Sequence, residues 1–296
     1  MAFEDKLITA IARCLKVSEH TIKLKPLLVN ALVEDATKKY LVFTRAQQAK
    51  AFVLVASVKT PQSVKSANEK MHAISEKIGA ELTKNLLMPL EISEIDGLSY
   101  SISRYFKPLH KNRLLHRLDA WRIRGSLIQW VTDVANISQT KANTTEQHES
   151  FIQNLQAIAS LPSLKQAFKT TALAAIKAIE EGSWQPKFVC AHNDLWLGNV
   201  LNSDESKFVI IDWDGARVNG YAFYDLVRLA QALKLSKRTL KPAVSAYCQV
   251  MQCNTQQAEY YLISAFASSY LELGGWQQER FIYLLEGCMK TLEECR

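Results

Sequence analysis

One β-rich island inside a helical C-terminal half constrains this fold more than any other feature. It begins Phe188-Val189-Cys190-Ala191-His192-Asn193-Asp194-Leu195-Trp196-Leu197-Gly198-Asn199-Val200-Leu201. A polar turn follows from Asn202 to Lys207, and then Phe208-Val209-Ile210-Ile211-Asp212-Trp213-Asp214-Gly215. Apolar runs separated by a polar turn predict short paired strands. The first run leads into His-x-Asp-x-x-x-x-Asn, and the second ends in two acids. A hairpin between Asn199 and Asp212 brings their polar groups together, and loops beside short rigid strands commonly carry chemistry.

The rest of the chain frames that island. Phe3, Leu7, Ile8, Ile11 and Leu15 recur at helical spacing. The runs 26–33, 40–45 and 51–58 are β-branched and aromatic, which predicts three antiparallel strands. A helix follows over 63–78, then two strands near 87–92 and 98–105 around the turn Glu94-Ile95-Asp96-Gly97. From about Pro108 the pattern is helical, over 113–138, 146–159, 164–181, 224–233, 240–251, 255–273 and 277–294. The expected fold class is α+β and bilobal. A small antiparallel-sheet lobe with one helix, residues 1–105, precedes a larger, mostly helical lobe, residues 106–296.

The spacing in the island suits phosphoryl transfer. That reaction asks a protein to hold a metal on the phosphates, orient the attacking hydroxyl and stabilise charge. Asp194 can accept or orient a hydroxyl proton. Asn199 can offer its amide oxygen to a metal, and Asp212 a carboxylate. Magnesium takes oxygen ligands and keeps several waters, so these groups plus phosphates suffice. His192 is placed to brace the loop.

These residues resemble the aminoglycoside phosphotransferase and choline kinase superfamily, protein-kinase-like enzymes for small substrates. The resemblance implies a catalytic role for Asp194, with His192 in the same loop. It implies metal ligation by Asn199 and Asp212, with Asp214 as the second acid after an aromatic. It implies ATP and Mg2+ as cofactors. The pair Asp225-Leu226 matches a further acid of the family; Asp225 can cap its own helix, and the resemblance implies that it also braces the catalytic loop. His192-Asn193-Asp194-Leu195 is similar to choline and ethanolamine kinases, and Asp194-Leu195-Trp196 with Gly198-Asn199 to fructosamine kinases. Only about a dozen residues separate Asp212 from the next helix, too few for the activation loop and substrate platform of protein kinases. The expected substrate is therefore small: choline or ethanolamine, an amino sugar, a fructosamine or a cell-envelope sugar.

The N-terminal half departs from the family pattern. No glycine precedes Gly79, so the expected phosphate loop is the hairpin 34–39, with backbone N–H groups around Ala36 and Thr37. The third-strand lysine that kinases pair with a helix glutamate falls near Val55 by strand register. Lys59 is the first lysine beyond, and it is assigned the role with Glu69. Aromatic side chains near carboxylates can hold a cation or stack on a sugar, which makes Trp196, Trp213, Tyr221 and Trp276 the candidate substrate residues. Tyr224 and Glu272 stand with them. Arg217 and Arg228 could meet an anion, or simply form ion pairs.

Composition excludes several alternatives. There are 36 Lys and Arg against 29 Asp and Glu, but the cations are scattered, which argues against nucleic-acid binding. No apolar run reaches the length of a membrane span, and the N-terminus lacks a signal pattern. None of the six cysteines lies in a Cys-x-x-Cys pair, so reduced thiols in a cytoplasmic protein are expected. The oligomeric state is not legible. Two further readings stay open: a pseudokinase that binds without transferring phosphate, and a metal-dependent hydrolase using His192, Asp194, Asp212 and Asp214.

Overall fold

The computed structural model describes residues 2–27, 37–44, 48–272 and 278–295. The chain divides into two compact units. One comprises Met1–Glu76, Thr83–Leu109 and Val200–Gly215; the other comprises Lys77–Leu82, His110–Asn199 and Ala216–Arg296. This differs from a single boundary after residue 105, because the hairpin of the island belongs with the N-terminal segments.

The first unit is built on a five-stranded antiparallel sheet. Helix α1 (Phe3–Leu15) precedes β1 (Lys23–Leu27), β2 (Lys38–Phe43) and β3 (Ala49–Val55), and α2 (Ser63–Thr83) precedes β4 (Pro89–Ile95) and β5 (Leu98–Arg104). The spatial order is β1-β2-β3-β5-β4. Alternation decides the two faces. Tyr40, Val42, Val53, Val55, Tyr100 and Ile102 are buried with Leu7 and Ile11 of α1. The opposite face carries Leu41, Phe52, Leu54 and the buried serines Ser99, Ser101 and Ser103. The start of α2 lies on this second face, since Ser99 Oγ accepts from Lys65 N at 3.3 Å and donates to Pro61 O at 2.8 Å. Helix α2 breaks at Gly79, whose φ of 78° lies where an L side chain is strained, so the 63–78 expectation stops at a physical break.

The island hairpin is β8 (Val200–Ser203) and β9 (Lys207–Ile210). Backbone bonds tie it into the first unit. Ile210 N donates to Asn85 O at 2.7 Å, Leu87 N to Ile210 O at 3.1 Å, and Asn202 N to Lys107 O at 2.8 Å. Those partners lie far away in sequence, which is why the hairpin's allegiance is invisible to a local reading.

The second unit is mostly helical. It contains α3 (Arg113–Ser138), β6 (Thr140–Lys141), α4 (Thr144–Glu146), α5 (Gln153–Ala159) and α6 (Gln166–Glu180). After the strand β7 (Lys187–Ala191) and the later β10 (Arg217–Tyr221) come α7 (Tyr224–Ala232), α8 (Lys237–Met251), α9 (Thr255–Glu272) and α10 (Gln278–Glu293). Asn112 caps α3 by accepting from Leu114 N and Leu115 N, as a short amide side chain does at a helix start. The segment 147–152 is one π-helical turn between α4 and α5, where the spacing predicts a continuous helix. Strands pair in the order β10-β7-β6, and all five residues of β7 are buried. Phe151, Phe188 and Tyr221 pack ring against ring beside it. All six cysteines are free thiols. Among the described residues no helix is long and apolar enough to cross a membrane.

Candidate active site

Strand β7 leads into the loop that carries His192 and Asp194. Cys190 N donates to Ser138 Oγ of α3 at 2.8 Å, and Lys187 N to the Tyr261 hydroxyl of α9 at 2.9 Å. The strand is therefore pinned from two helices before it reaches His192. At that point the ladder stops and the loop takes other partners. His192 N donates to Asp225 Oδ2 at 2.6 Å and Asn193 N to Asp225 Oδ1 at 2.9 Å. Asn193 sits at φ 62°, a left-handed conformation that Asn tolerates better than most residues. The bend turns Asp194 outward, and its carboxylate is exposed.

Asp225 does the bracing at a cost. Its carboxylate is buried, and that burial raises its pKa above the ordinary value, against the opposing pull of His192 and the two backbone N–H donors. It does not cap its own helix. The residue preceding α7 is Phe223, at φ 68°, without a side-chain cap bond. His192 is 2 % exposed, and its Nδ1 accepts from Asp194 N at 3.3 Å. A ring nitrogen that accepts from the backbone helps to position the loop.

Asn199 closes the loop from the other side. It is buried in a short 3-10 turn, Leu197–Asn199. Its Nδ2 donates to Asp194 O at 2.9 Å and to Asp194 Oδ2 at 3.1 Å. With the amide nitrogen committed, Oδ1 is the atom left for a cation. Gly198 permits this turn because a Cβ there would overlap the Trp196 ring. In the first unit, Val200 pairs with Ile210, and Asp212 follows at φ 67°. Its carboxylate is exposed and has no hydrogen bond or ion pair among the described residues. Asp214 is held by Lys70 of α2, whose ammonium bonds the Asp214 carbonyl and lies 3.9 Å from its carboxylate.

A family model for phosphotransferase enzymes, APH, matches residues 103–257. The chain belongs to this phosphotransferase enzyme family. Its enzyme class is an ATP-dependent small-molecule phosphotransferase. The structure is similar to a thermostable aminoglycoside phosphotransferase solved with ADP and hygromycin B, at 12% identity, a TM-score of 0.57 and 98% coverage of both chains. It is also similar to the choline kinase of Streptococcus pneumoniae, at 13% identity, a TM-score of 0.54 and 99% coverage of both. A choline/ethanolamine kinase family protein from Mesorhizobium loti matches at 11% identity and a TM-score of 0.51, over 100% of this chain and 99% of its own. At such identities the likeness is one of fold. No curated protein sequence matches the chain.

The remaining candidate residues of this phosphotransferase fall in different places. Trp213 is buried, and its Nε1 donates to Ile210 O at 3.1 Å. Tyr221 is buried in the ring cluster, its hydroxyl donating to Ser150 O at 2.6 Å. Both are core residues here, so the expectation that they meet a substrate is corrected: their polar atoms are satisfied inside the protein. Trp196 remains, about half exposed. Trp276 lies outside the described residues, as do residues 34–36 of the expected phosphate loop, while Thr37 is half-buried just before β2. Lys59 is exposed in the turn after β3, and Glu69 is exposed on α2. Arg217 forms an ion pair with Glu272 and donates to Ser268 Oγ at 3.2 Å, which makes it structural. Among the described residues no three His, Cys, Asp or Glu side chains cluster as a metal centre.

Proposed function

We propose that this enzyme transfers the γ-phosphoryl group of ATP to a hydroxyl of a small molecule, with Asp194 as the base that orients the hydroxyl and takes its proton. The observation that carries the reading is an exposed carboxylate on a doubly braced loop. Asp225 fixes the backbone before Asp194, and Asn199 fixes Asp194 itself. Such preorganisation lets a weak base act, because phosphoryl transfer needs position more than basicity.

The residues that would hold the metal in this reading are those the sequence motif names, Asn199 through Oδ1 and Asp212 through its carboxylate, and Asp214 is tethered to Lys70 within the first unit. An all-oxygen donor set suits Mg2+. Magnesium held by these residues would supply charge neutralisation for the leaving group. Asp194 holds the acceptor oxygen in line with the γ-phosphorus. The new O–P bond forms, the β–γ bridge breaks, and ADP leaves with the bond's electron pair. The hydroxyl proton passes to Asp194 and on to water. Trp196 offers the acceptor an aromatic face, fit for the cation of choline or ethanolamine or the ring of an amino sugar or another sugar.

The test begins with melting curves in Mg-ATP and in ATP with a chelator, followed by phosphate transfer to amino alcohols and sugars. At a hundredfold excess over Kd, binding stabilises by about 2.7 kcal/mol. Asp194→Ala is expected to keep the Mg-ATP shift and lose transfer. Undiminished turnover in that variant would refute the role of Asp194. Absence of magnesium-dependent ATP binding would favour the pseudokinase reading instead.

A further inference from the structure

Among the described residues, the third strand of the first unit carries no cation at the place where a kinase-like sheet aims one at nucleotide phosphates. That cation is a third-strand lysine paired with a glutamate of the following helix. It therefore belongs on the sheet face that the helix covers. Here that face is the α2 side, the side of Ser99. Val55 looks the other way, into the core under α1. The β3 residues on the α2 side are Phe52 and Leu54, opposite Ser103 and Ser101 of β5. Neither is a lysine. The buried face of the helix carries no acid either. Its buried positions are Val64, Asn68, Met71, Ile74 and Ile78, while Glu69 and Glu76 are exposed. The α2-side face of β3 thus carries no lysine opposite Ser101 and Ser103, and the buried face of α2 no glutamate.

A replacement stands on the neighbouring strand. Lys39 of β2 is the direct cross-strand partner of Leu54. Directly opposed residues of an antiparallel pair share a face, with Cβ atoms about 4.5–5.5 Å apart. Lys39 therefore rises from the same patch of the same face as Leu54, and its four-carbon stem covers that spacing. Lys39 is half-buried, unlike its neighbour Lys38, and no ion pair engages it among the described residues. The other basic residues fit less well. Lys25 lies one strand further out, opposite Leu41. Lys50 sits at the bulge where Phe43 pairs with Ala49, at the far end of β3. Lys70 is committed to Asp214, and Lys59 lies beyond the strand.

We propose that Lys39, on β2, is the phosphate-binding cation of this enzyme, taking the role that a β3 lysine has elsewhere in the fold. The assignment rests on the ATP-dependent reading above. It makes Leu54 an apolar neighbour of the nucleotide and locates positive charge on the face that α2 covers.

The test is equilibrium binding of Mg-ATP and of adenosine to the full-length chain. The variants are Lys39→Met, Lys39→Gln and the double variant Lys39→Met with Leu54→Lys, each checked for an intact fold by its melting curve. A lost charge-assisted contact to phosphate weakens Mg-ATP binding on the order of ten- to a hundredfold. The expected result is that loss in both single variants, no change for adenosine, and recovery in the double variant, which puts the cation back on the third strand. Should Lys39→Met unfold, Lys39→Gln, which keeps a polar stem at an edge of the core, carries the comparison. Mg-ATP affinity within twofold of the parent in a folded Lys39 variant overturns the assignment. A loss that appears in Lys59→Met and not in Lys39→Met overturns it equally. A parent protein that binds no Mg-ATP refutes the proposed function itself, and this assignment falls with it.

Discussion

Asp225→Asn separates a group that braces a catalytic loop from an ordinary buried acid. The carboxylate accepts two backbone N–H bonds, at 2.6 Å from His192 and 2.9 Å from Asn193. An asparagine of the same shape can accept only one of them. Its amide nitrogen then faces the other N–H, donor against donor. An unsatisfied buried donor costs about 1–3 kcal/mol. Relief of the buried charge offsets part of this, so the net loss is expected at the lower end, about 1–2 kcal/mol. A chain of this size loses about 2–4 °C in Tm per kcal/mol, giving a fall of roughly 2–8 °C. The sharper readout is hydrogen exchange. Weakening one anchor by that amount raises the opening frequency of the loop roughly 5- to 30-fold, and the increase should be confined to residues 192–195. The amides of β7 before them are held by Ser138 and Tyr261 and should keep their protection. Mg-ATP binding should persist while phosphate transfer falls. Unchanged exchange at 192–195, or a uniform rise across β7 and the loop alike, would refute the bracing argument.

Two further outcomes follow from the packing. Gly220→Ala puts a Cβ 3.2 Å from Val189 O and into the Ala191 side chain, so β10 must shift from β7, at about 1–3 kcal/mol; an unchanged melting temperature would contradict this close approach. Burial, and then the hydrogen bond to Glu91, raise the Tyr100 hydroxyl to about 12 from an ordinary 10. The folded state therefore holds that proton more tightly than the unfolded chain. The stability this contributes is complete below pH 10 and is lost as pH rises towards 12. Melting curves at pH 9 to 12 should fall more steeply for the parent than for Tyr100→Phe, and parallel curves would exclude Tyr100 as a source of alkaline instability.

Much of the secondary structure is legible because it rests on local spacing. The expected helix over 113–138 is α3 to the residue; the expected helix 146–159 is interrupted by the π-helical turn 147–152, and the remaining helices differ at their ends, where caps and frays decide. Strands β2 to β5 overlap their expected runs, while of the run 26–33 only Pro26 and Leu27 fall in β1 and residues 28–33 lie outside the described residues. Strands β6 and β10 escape a local reading. The first has two residues, and the second carries Asn219 and Gly220, neither of which favours a strand. Both exist because β7 lies between them. The substrate candidates show the same limit. Nothing local distinguishes Trp196, which stands half exposed, from Trp213, which is buried with its indole N–H bonded to Ile210.

The order of elements, the bilobal α+β class, and the run from His192 to Asp214 with its family are all written in the chain. They follow from periodicity and from residue types at short separations, which a chain displays before it folds. The sequence already implied that Asp225 braces the loop, and folding in three dimensions was needed to show that it does so without capping its own helix. It was needed, too, to place residues 200–215 in the first unit and to stand Lys39 opposite Leu54. Each of these depends on which distant segment pairs with which, and in what register. A slip of one residue would turn Lys39 to the other face of the sheet.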